Sequence, residues 1–285
     1  MNAFSIGIIA DCLRLPFAQS IRRCKELGAD GVQLYAVAGE LAPEAMTAAK
    51  ILEYRSMLDD CGLEVSALCG DLGGHGFCRA DENPQKIERS KRIIDLALEL
   101  GSNIVTTHIG VVPADTGSRT YETLHRACEE LAQYAHSRGA HFAVETGPEP
   151  AVRLRSFLDS LGSTGVGVNL DPANLVMVAC DDPVAAVDTL APYIVHTHAK
   201  DGICLQKTDP QRIYDYMADG GIEDMHLQDY FIETPIGQGS VPFPAYLERL
   251  NAIGYHGYLT IEREVGNNPA GDIALAVQSI RRYLK

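Results

Sequence analysis

No two of the cysteines in this 285-residue chain stand in a CxxC arrangement, the spacing that a zinc ribbon or a thioredoxin-like redox centre needs. The eight thiols (Cys12, Cys24, Cys61, Cys69, Cys78, Cys128, Cys180 and Cys204) are scattered, mostly within apolar stretches. They read as reduced and mostly buried rather than as a disulfide framework. There is no low-complexity tract, which speaks against a disordered chain. The opening residues, MNAFSIGIIADCLRLP, lack a basic leader and hold only a short apolar run. Neither a signal peptide nor a membrane span is expected, and the cytoplasm is the expected location. Positive charge is scarce: 24 Lys and Arg face 38 Asp and Glu, a formal net charge of −14. The resulting negative field disfavours nucleic acid and anionic membranes as partners, and no local basic patch overrides it.

What is present is a 46% apolar, 22% charged composition, that of a folded chain with a substantial core. Short apolar or β-branched runs recur: FSIGII from Phe4, GVQLY from Gly31, EVSALCG from Glu64, NIVTTHIG from Asn103, HFAVE from His141, GVGVNLD from Gly165, YIVHTHA from Tyr193 and GYLTIE from Gly257. Helical patterns separate them, at about 21–27, 43–61, 84–100, 121–137, 151–161 and 183–190. Turn signals such as LGAD, CGL, LGSN and SRGA precede successive strands, as where a glycine-capped helix returns the chain to a sheet. Eightfold βα alternation implies parallel strands. With no GxGxxG after the first strand, a closed (β/α)8 TIM barrel is favoured over an open doubly wound sheet. Such barrels commonly run to ~250 residues as one unit, so residues 1–285 are expected to form a single domain. The long irregular segment 201–240 lies between strand 7 and the helix PFPAYLERLNAIG, and is expected as a loop crossing the C-terminal face.

Four successive strands end on a metal-competent side chain after an apolar lead-in: AVE at Glu145, VNLD at Asp171, VHTH at His198 and LTIE at Glu262. Adjacent barrel strands end at one rim, so these groups are expected to converge at the C-terminal mouth. One such carboxylate is commonly a helix cap or an ion-pair partner, a reading that does not cover four neighbouring strand ends. Three close carboxylates raise one another's pKa unless a cation compensates them. Three oxygen donors and one imidazole suit a single divalent ion, Mn, Mg or Co, and Zn can also occupy such a set. His196 and His198 share a strand face, so spacing leaves open which of them binds. His108, ending strand 4, and His75, in GDLGGHGF, can reach the mouth and bond to hydroxyls, or instead satisfy a buried carbonyl. Lys200 can neutralise an alkoxide or contact a carboxylate or phosphate, or simply pair with a rim acid.

The motifs VETG at Glu145, NLDPANL at Asp171, HTHAKD at His198, PIGQGSVPFPAYLERLNAIGY before strand 8 and GYLTIERE at Glu262 resemble the xylose-isomerase-like barrel superfamily. The likeness is to its sugar phosphate isomerase/epimerase group, with ketose 3-epimerases, inosose dehydratases and endonuclease IV as relatives, and it spans nearly the whole chain. It implies that Glu145, Asp171, His198 and Glu262 hold the metal, with Glu145 and Glu262 also transferring protons. Asn174 stands where relatives often have histidine, and Gln33 where many have a glutamate ending strand 2. Both join His108, His75 and Lys200 as expected substrate contacts. The expected reaction is proton transfer through a metal-stabilised enediolate on a ketose or related polyol, giving epimerisation or isomerisation. A ketocyclitol dehydratase is the alternative, and a non-catalytic sugar- or metal-binding barrel a further one, against which the two glutamates argue. DNA cleavage ranks last among the enzymes, because segment 201–240 holds eight acids against Lys207 and Arg212 and repels a phosphate backbone. No glycine-rich phosphate cradle follows strands 7 or 8, which favours an unphosphorylated sugar. Relatives of this kind are often dimers or tetramers, so a homo-oligomer is expected.

Overall fold

Parallel strands buried on both faces read as continuous apolar runs, and in the computed structural model, which describes residues 4–222 and 224–285, those runs become a closed barrel. The strands are β1 (Ser5–Ile9), β2 (Gly31–Tyr35), β3 (Glu64–Cys69), β4 (Ile104–Thr107), β5 (His141–Glu145), β6 (Val166–Leu170), β7 (Ile194–Ala199), β8 (Asp201–Cys204), β9 (Phe231–Thr234) and β10 (Tyr258–Ile261). β1 to β7 pair in sequence order, and β10 closes the ring between β7 and β1, every pairing being parallel.

The helices are α1 (Phe17–Leu27), α2 (Ala48–Cys61), α3 (Asn83–Glu99), α4 (Arg119–Arg138), α5 (Ala151–Leu161), α6 (Pro172–Asn174), α7 (Pro183–Leu190), α8 (Pro210–Asp219), α9 (Phe243–Ala252) and α10 (Pro269–Tyr283). A π-type turn, Leu175–Ala179, continues α6. Each long helix buries one stripe. On α4 that stripe is Leu124, Cys128, Leu131 and Ala135, spaced by three or four residues and fully buried, and burying a leucine-sized side chain contributes about 1.5–3 kcal/mol. α1, α2, α4 and α5 stop at Gly28, Gly62, Gly139 and Gly162, each with positive φ. The same turns marked the helix ends in the sequence. No helix among the described residues is long and apolar enough to cross a membrane.

The structure departs from the sequence-based expectation in several places, and α1 already begins at Phe17 rather than near Ile21. α2 begins at Ala48 rather than near Pro43, because the Thr47 side chain accepts from the Lys50 amide and caps the helix there. α10 extends the chain beyond the last expected strand, opened by the Asn268 side chain, which accepts from the Gly271 amide, and by Pro269 in its first turn. Segment 201–240 is not irregular: β8 and β9 form an antiparallel ribbon, and α8 follows the Asp209 cap and Pro210. Four-residue strands of mixed polarity carry too little alternation to be read.

One buried acid anchors that segment. Asp201 Oδ1 accepts from the amides of Gly202 (2.9 Å) and Val241 (3.1 Å), and Oδ2 from those of Gly237 (2.8 Å) and Gly239 (3.0 Å). A Cβ on Gly239 would stand 2.1 Å from Asp201 Oδ1. PIGQGS therefore wraps the aspartate of HTHAKD, and the two motifs form a single structural unit. Asp201→Ala leaves buried amides without an acceptor and is expected to cost about 3 kcal/mol in chemical denaturation. Asp229→Ala, at an exposed site of the same segment, is expected to change stability by less than about 0.5 kcal/mol. Equal losses would contradict the anchoring role.

Candidate metal centre and active site

β5, β6, β7 and β10 are neighbours in the ring, so their C-terminal ends share one arc of the rim. Glu145 ends β5, Asp171 follows β6, His198 is next to last in β7 and Glu262 follows β10. All four are buried, and one donor atom from each lies within 4.8 Å of the others. His198 Nδ1 faces the carboxylates, 3.2 Å from Glu262 Oε2, 3.4 Å from Asp171 Oδ2 and 3.5 Å from Glu145 Oε1.

Neighbouring groups hold each donor in place. Asp171 caps α6, its Oδ1 accepting from the amides of Ala173 (2.7 Å) and Asn174 (2.9 Å). Glu145 Oε1 accepts from Asn174 Nδ2 at 3.0 Å, and its Oε2 from Asn169 Nδ2 at 3.1 Å. His198 Nε2 lies 3.1 Å from Gln33 Oε1, and Gln33 Nε2 donates to Thr106 Oγ1 at 3.2 Å. An Nε2–H donated to Gln33 leaves Nδ1 as the nitrogen turned toward the carboxylates. His196 belongs to the layer below, against Asn169 Oδ1 (2.9 Å) and Thr260 Oγ1 (3.0 Å). Burial, then the nearby His198 charge, keeps its imidazole well below the usual range and neutral. The structure thus turns His198, and not His196, toward the acids.

Charge compensation decides whether this set fits a metal. Burial favours a neutral His198, but the charges of Glu262 and Glu145 overcome it and hold the imidazole well above its ordinary value. Burial would likewise raise Glu262, and the charges of Lys200 and His198 bring it below the usual carboxylate range. Even so, the buried Asp171 Oδ2 makes no hydrogen bond and faces His198 Nδ1 at 3.4 Å. An unpaired buried carboxylate oxygen facing an imidazole nitrogen and two further carboxylates is what an ion-binding site offers. Three oxygens and one nitrogen fit one divalent cation.

Above this cluster opens a cavity of about 690 Å³. Its floor carries Gln33, Asp71, His108, Asn174 and Lys200 beside three of the four donors, while Ile213, Tyr214 and Met217 of α8, Leu227, and Phe231 and Ile232 of β9 make an apolar roof. His108 Nδ1 lies 3.0 Å from Asp71 Oδ2 and its Nε2 3.5 Å from Glu145 Oε1. Burial opposes a charge there, but Glu145 and Asp71 push the imidazole up to about 10. Lys200 Nζ is 2.6 Å from Glu264 Oε2, 3.1 Å from Glu262 Oε2 and 4.0 Å from Glu233 Oε2. Those acids outweigh burial and hold the ammonium well above its ordinary range.

His75 does not line the cavity. It pairs with Asp215 (3.4 Å) and Asp219 (3.1 Å) on α8 and ties the loop after β3 to the roof. Both polar ends of Gln33 are engaged by His198 and Thr106, and the Asn174 amide donates to Glu145, so these two side chains position donors. The sequence reading passed over Asn169, Asp71, Glu233 and Glu264. Asp71 sits just past β3, and Glu264 two residues beyond Glu262 in GYLTIERE, both strand-end signals. Glu233 lies in the segment read as irregular, where no register placed it.

A closed parallel barrel with an acid and imidazole cluster at its C-terminal mouth defines an α/β barrel whose rim could hold a metal ion. The chain matches the model of the xylose isomerase-like TIM barrel family over residues 21–283 and belongs to that family. It is similar to the uncharacterized protein MJ1311 of Methanocaldococcus jannaschii, 24% identical over 212 residues that cover 70% of this chain and 62% of that protein. Among solved structures, a xylose isomerase domain protein from Planctomyces limnophilus superposes with a TM-score of 0.79 at 25% identity, covering 98% of this chain and 96% of that one. A D-tagatose 3-epimerase-like protein gives 0.74 at 18% identity (99% and 97% covered). The probable 3-DHS dehydratase AsbF of Bacillus anthracis gives 0.73 at 16% identity (98% and 99% covered). The last two likenesses speak to the fold.

Beside His108 a second acid is buried. Glu149 Oε2 accepts from the Val112 amide at 2.9 Å, while its Oε1 has no partner. Burial pushes this carboxyl from 4.5 up to about 7. A raised folded-state value means that the folded chain retains a proton which the unfolded chain releases, so stability falls as pH rises from about 4.5 to about 7. Glu149→Gln removes that titration. Between pH 5 and pH 8 the parent is expected to lose about 2 kcal/mol more stability than the variant. Parallel denaturation curves at the two pH values would contradict this.

Proposed function

We propose that the chain is a metal-dependent sugar isomerase or epimerase, with residues 1–285 acting as one domain on a ketose or related polyol. The observation that carries this reading is the arc of four donors with a glutamate at each end, Glu145 on β5 and Glu262 after β10. Glu145, Asp171, His198 and Glu262 would hold one divalent ion, and Mn, Mg, Co and Zn all suit that donor set. Such an ion supplies polarisation of a carbonyl and its neighbouring hydroxyl, which acidifies the adjacent C–H.

The protein's own groups divide the remaining work. Glu145 and Glu262 approach from opposite ends of the arc, so one removes the proton and the other returns it. Return to the opposite face of the same carbon gives epimerisation, and return to the neighbouring carbon gives isomerisation. Asn169 and Asn174 fix both Glu145 oxygens, and Lys200 beside Glu262 keeps that carboxyl ionised as a base. His108, charged between Asp71 and Glu145, donates to a sugar oxygen. The apolar roof excludes water, so that the proton returns to carbon rather than to solvent. The epimerase-like structural relative supports this direction.

A ketocyclitol dehydratase is the second reading. It is favoured by Lys200, a buried ammonium 3.1 Å from Glu262 that can protonate a departing hydroxide, and by the likeness to AsbF. Both readings begin with the same proton removal, so one experiment tests their shared step. Metal-loaded protein incubated in D2O with ketoses and inososes is expected to incorporate deuterium beside the carbonyl, as read by NMR. Glu145→Gln and Glu262→Gln are each expected to slow the exchange about 1000-fold, and chelation of the metal to abolish it. If no panel member were labelled by the metal-loaded protein, the proton-transfer reading would fail.

A further inference from the structure

Two cysteines that the catalytic reading does not use meet where the π-type turn and β8 come together. Cys180 Sγ lies 3.2 Å from Cys204 Sγ, and both thiols are free. Cys180 ends the π-type turn after β6 and is exposed. Its backbone is left-handed (φ 51°, ψ 43°), and its amide donates to the Leu175 carbonyl to close that turn. Glycine takes this conformation without steric cost, so here a thiol side chain is carried at a position where a side chain is disfavoured. Cys204 ends β8 and is half-buried. The close approach therefore joins two different elements, held near one another by the packing of Gly202 on the Met177 side chain.

We propose that Cys180 and Cys204 are a site of oxidative modification that closes to an intramolecular disulfide when hydrogen peroxide supplies the oxidant. The exposed Cys180 is the sulfur a peroxide reaches first. Its thiolate attacks one peroxide oxygen, the O–O bond breaks, and a sulfenic acid and one water form. The Cys204 sulfur then attacks the sulfenic sulfur, the S–O bond breaks, and hydroxide leaves as a second water with the thiol proton. Two electrons pass from the pair of thiols to the peroxide. Burial, and then the hydrogen bond with Cys180, push the Cys204 thiol up to about 11, which suits it to the resolving step rather than to the first attack. Closing the sulfurs from 3.2 Å to a bonded ~2.05 Å requires them to approach by about 1 Å.

The position of the bond gives it a consequence. The π-type turn carries Met177 and Val178, and the ribbon that β8 forms with β9 carries Phe231 and Ile232, all of which line the cavity. A Cys180–Cys204 disulfide links those two walls and encloses β7 with His198 and Lys200. It holds the roof ribbon in its closed packing and constrains the unfolded chain.

The test uses the full chain, treated with a few equivalents of hydrogen peroxide, alkylated in acid and digested without reductant for mass spectrometry. A peptide pair joined through Cys180 and Cys204 is expected, reversible by dithiothreitol. Amides of β8 and β9 should exchange about tenfold more slowly in the oxidised protein, and Tm should rise by about 5 °C. Cys180→Ser or Cys204→Ser should abolish the cross-link, while Cys61→Ser and Cys78→Ser should keep it. Sulfinic acid at Cys180 without a cross-link, disulfides only between chains, or a Cys180–Cys204 link that leaves ribbon exchange unchanged would overturn the proposal. None of these outcomes depends on the sugar chemistry, so the two readings fail separately.

Discussion

Three carboxylates within 4.8 Å of one another and of a histidine cannot all stay ionised in a buried pocket unless positive charge is placed among them, and the mouth of the barrel is built around that demand. Strand order supplies the proximity, since β5, β6, β7 and β10 are consecutive around the ring. Without an ion, the demand falls on protons and on two side chains. His198 is held in its charged form by Glu262 and Glu145, and Lys200 lies 3.1 Å from Glu262. Asp171 Oδ2 remains without a hydrogen bond, so the compensation is incomplete. A divalent cation would complete it.

Neutral amides do the rest of the positioning. Gln33, Asn169 and Asn174 occupy the lone pairs and ring nitrogen that face away from the cluster centre, fixing the donors without adding charge. Charged groups stand one step further out, His108 on Asp71 and Lys200 on Glu264. The roof is held by separate devices: Asp201 gathers the PIGQGS amides, and His75 reaches Asp215 and Asp219 on α8. The roof and the site meet at Lys200, which lies 3.1 Å from Glu262 and 4.0 Å from Glu233 on the roof ribbon.

Much of the barrel was legible in the sequence because buried parallel strands and glycine-ended helices leave strong local signals. The bounds of β2, β5 and α5 follow the apolar runs and helical pattern directly. The four convergent donors were legible for the same reason, each standing at the end of an apolar run. What could not be read depends on partners far along the chain. Asn169 looks like one more strand residue until Glu145 and His196 are placed beside it. Glu233 acquires a role only through the register of the β8 and β9 ribbon against Arg263 and Lys200. His75 was expected at the sugar because GDLGGHGF lies past a strand end, yet α8, a helix absent from the sequence reading, captures it.

The most direct measurement is a Mn2+ titration of the metal-stripped full chain followed by electron paramagnetic resonance, in the parent and in Asp171→Asn. Asp171 Oδ2 has no hydrogen-bond partner, so replacing it with an amide removes a donor while Oδ1 can still cap α6. One ion per chain in the parent, with affinity about 100-fold weaker in the variant, is the result expected if cation compensation organises the site. No binding by the parent, or equal affinity in the two proteins, would contradict it.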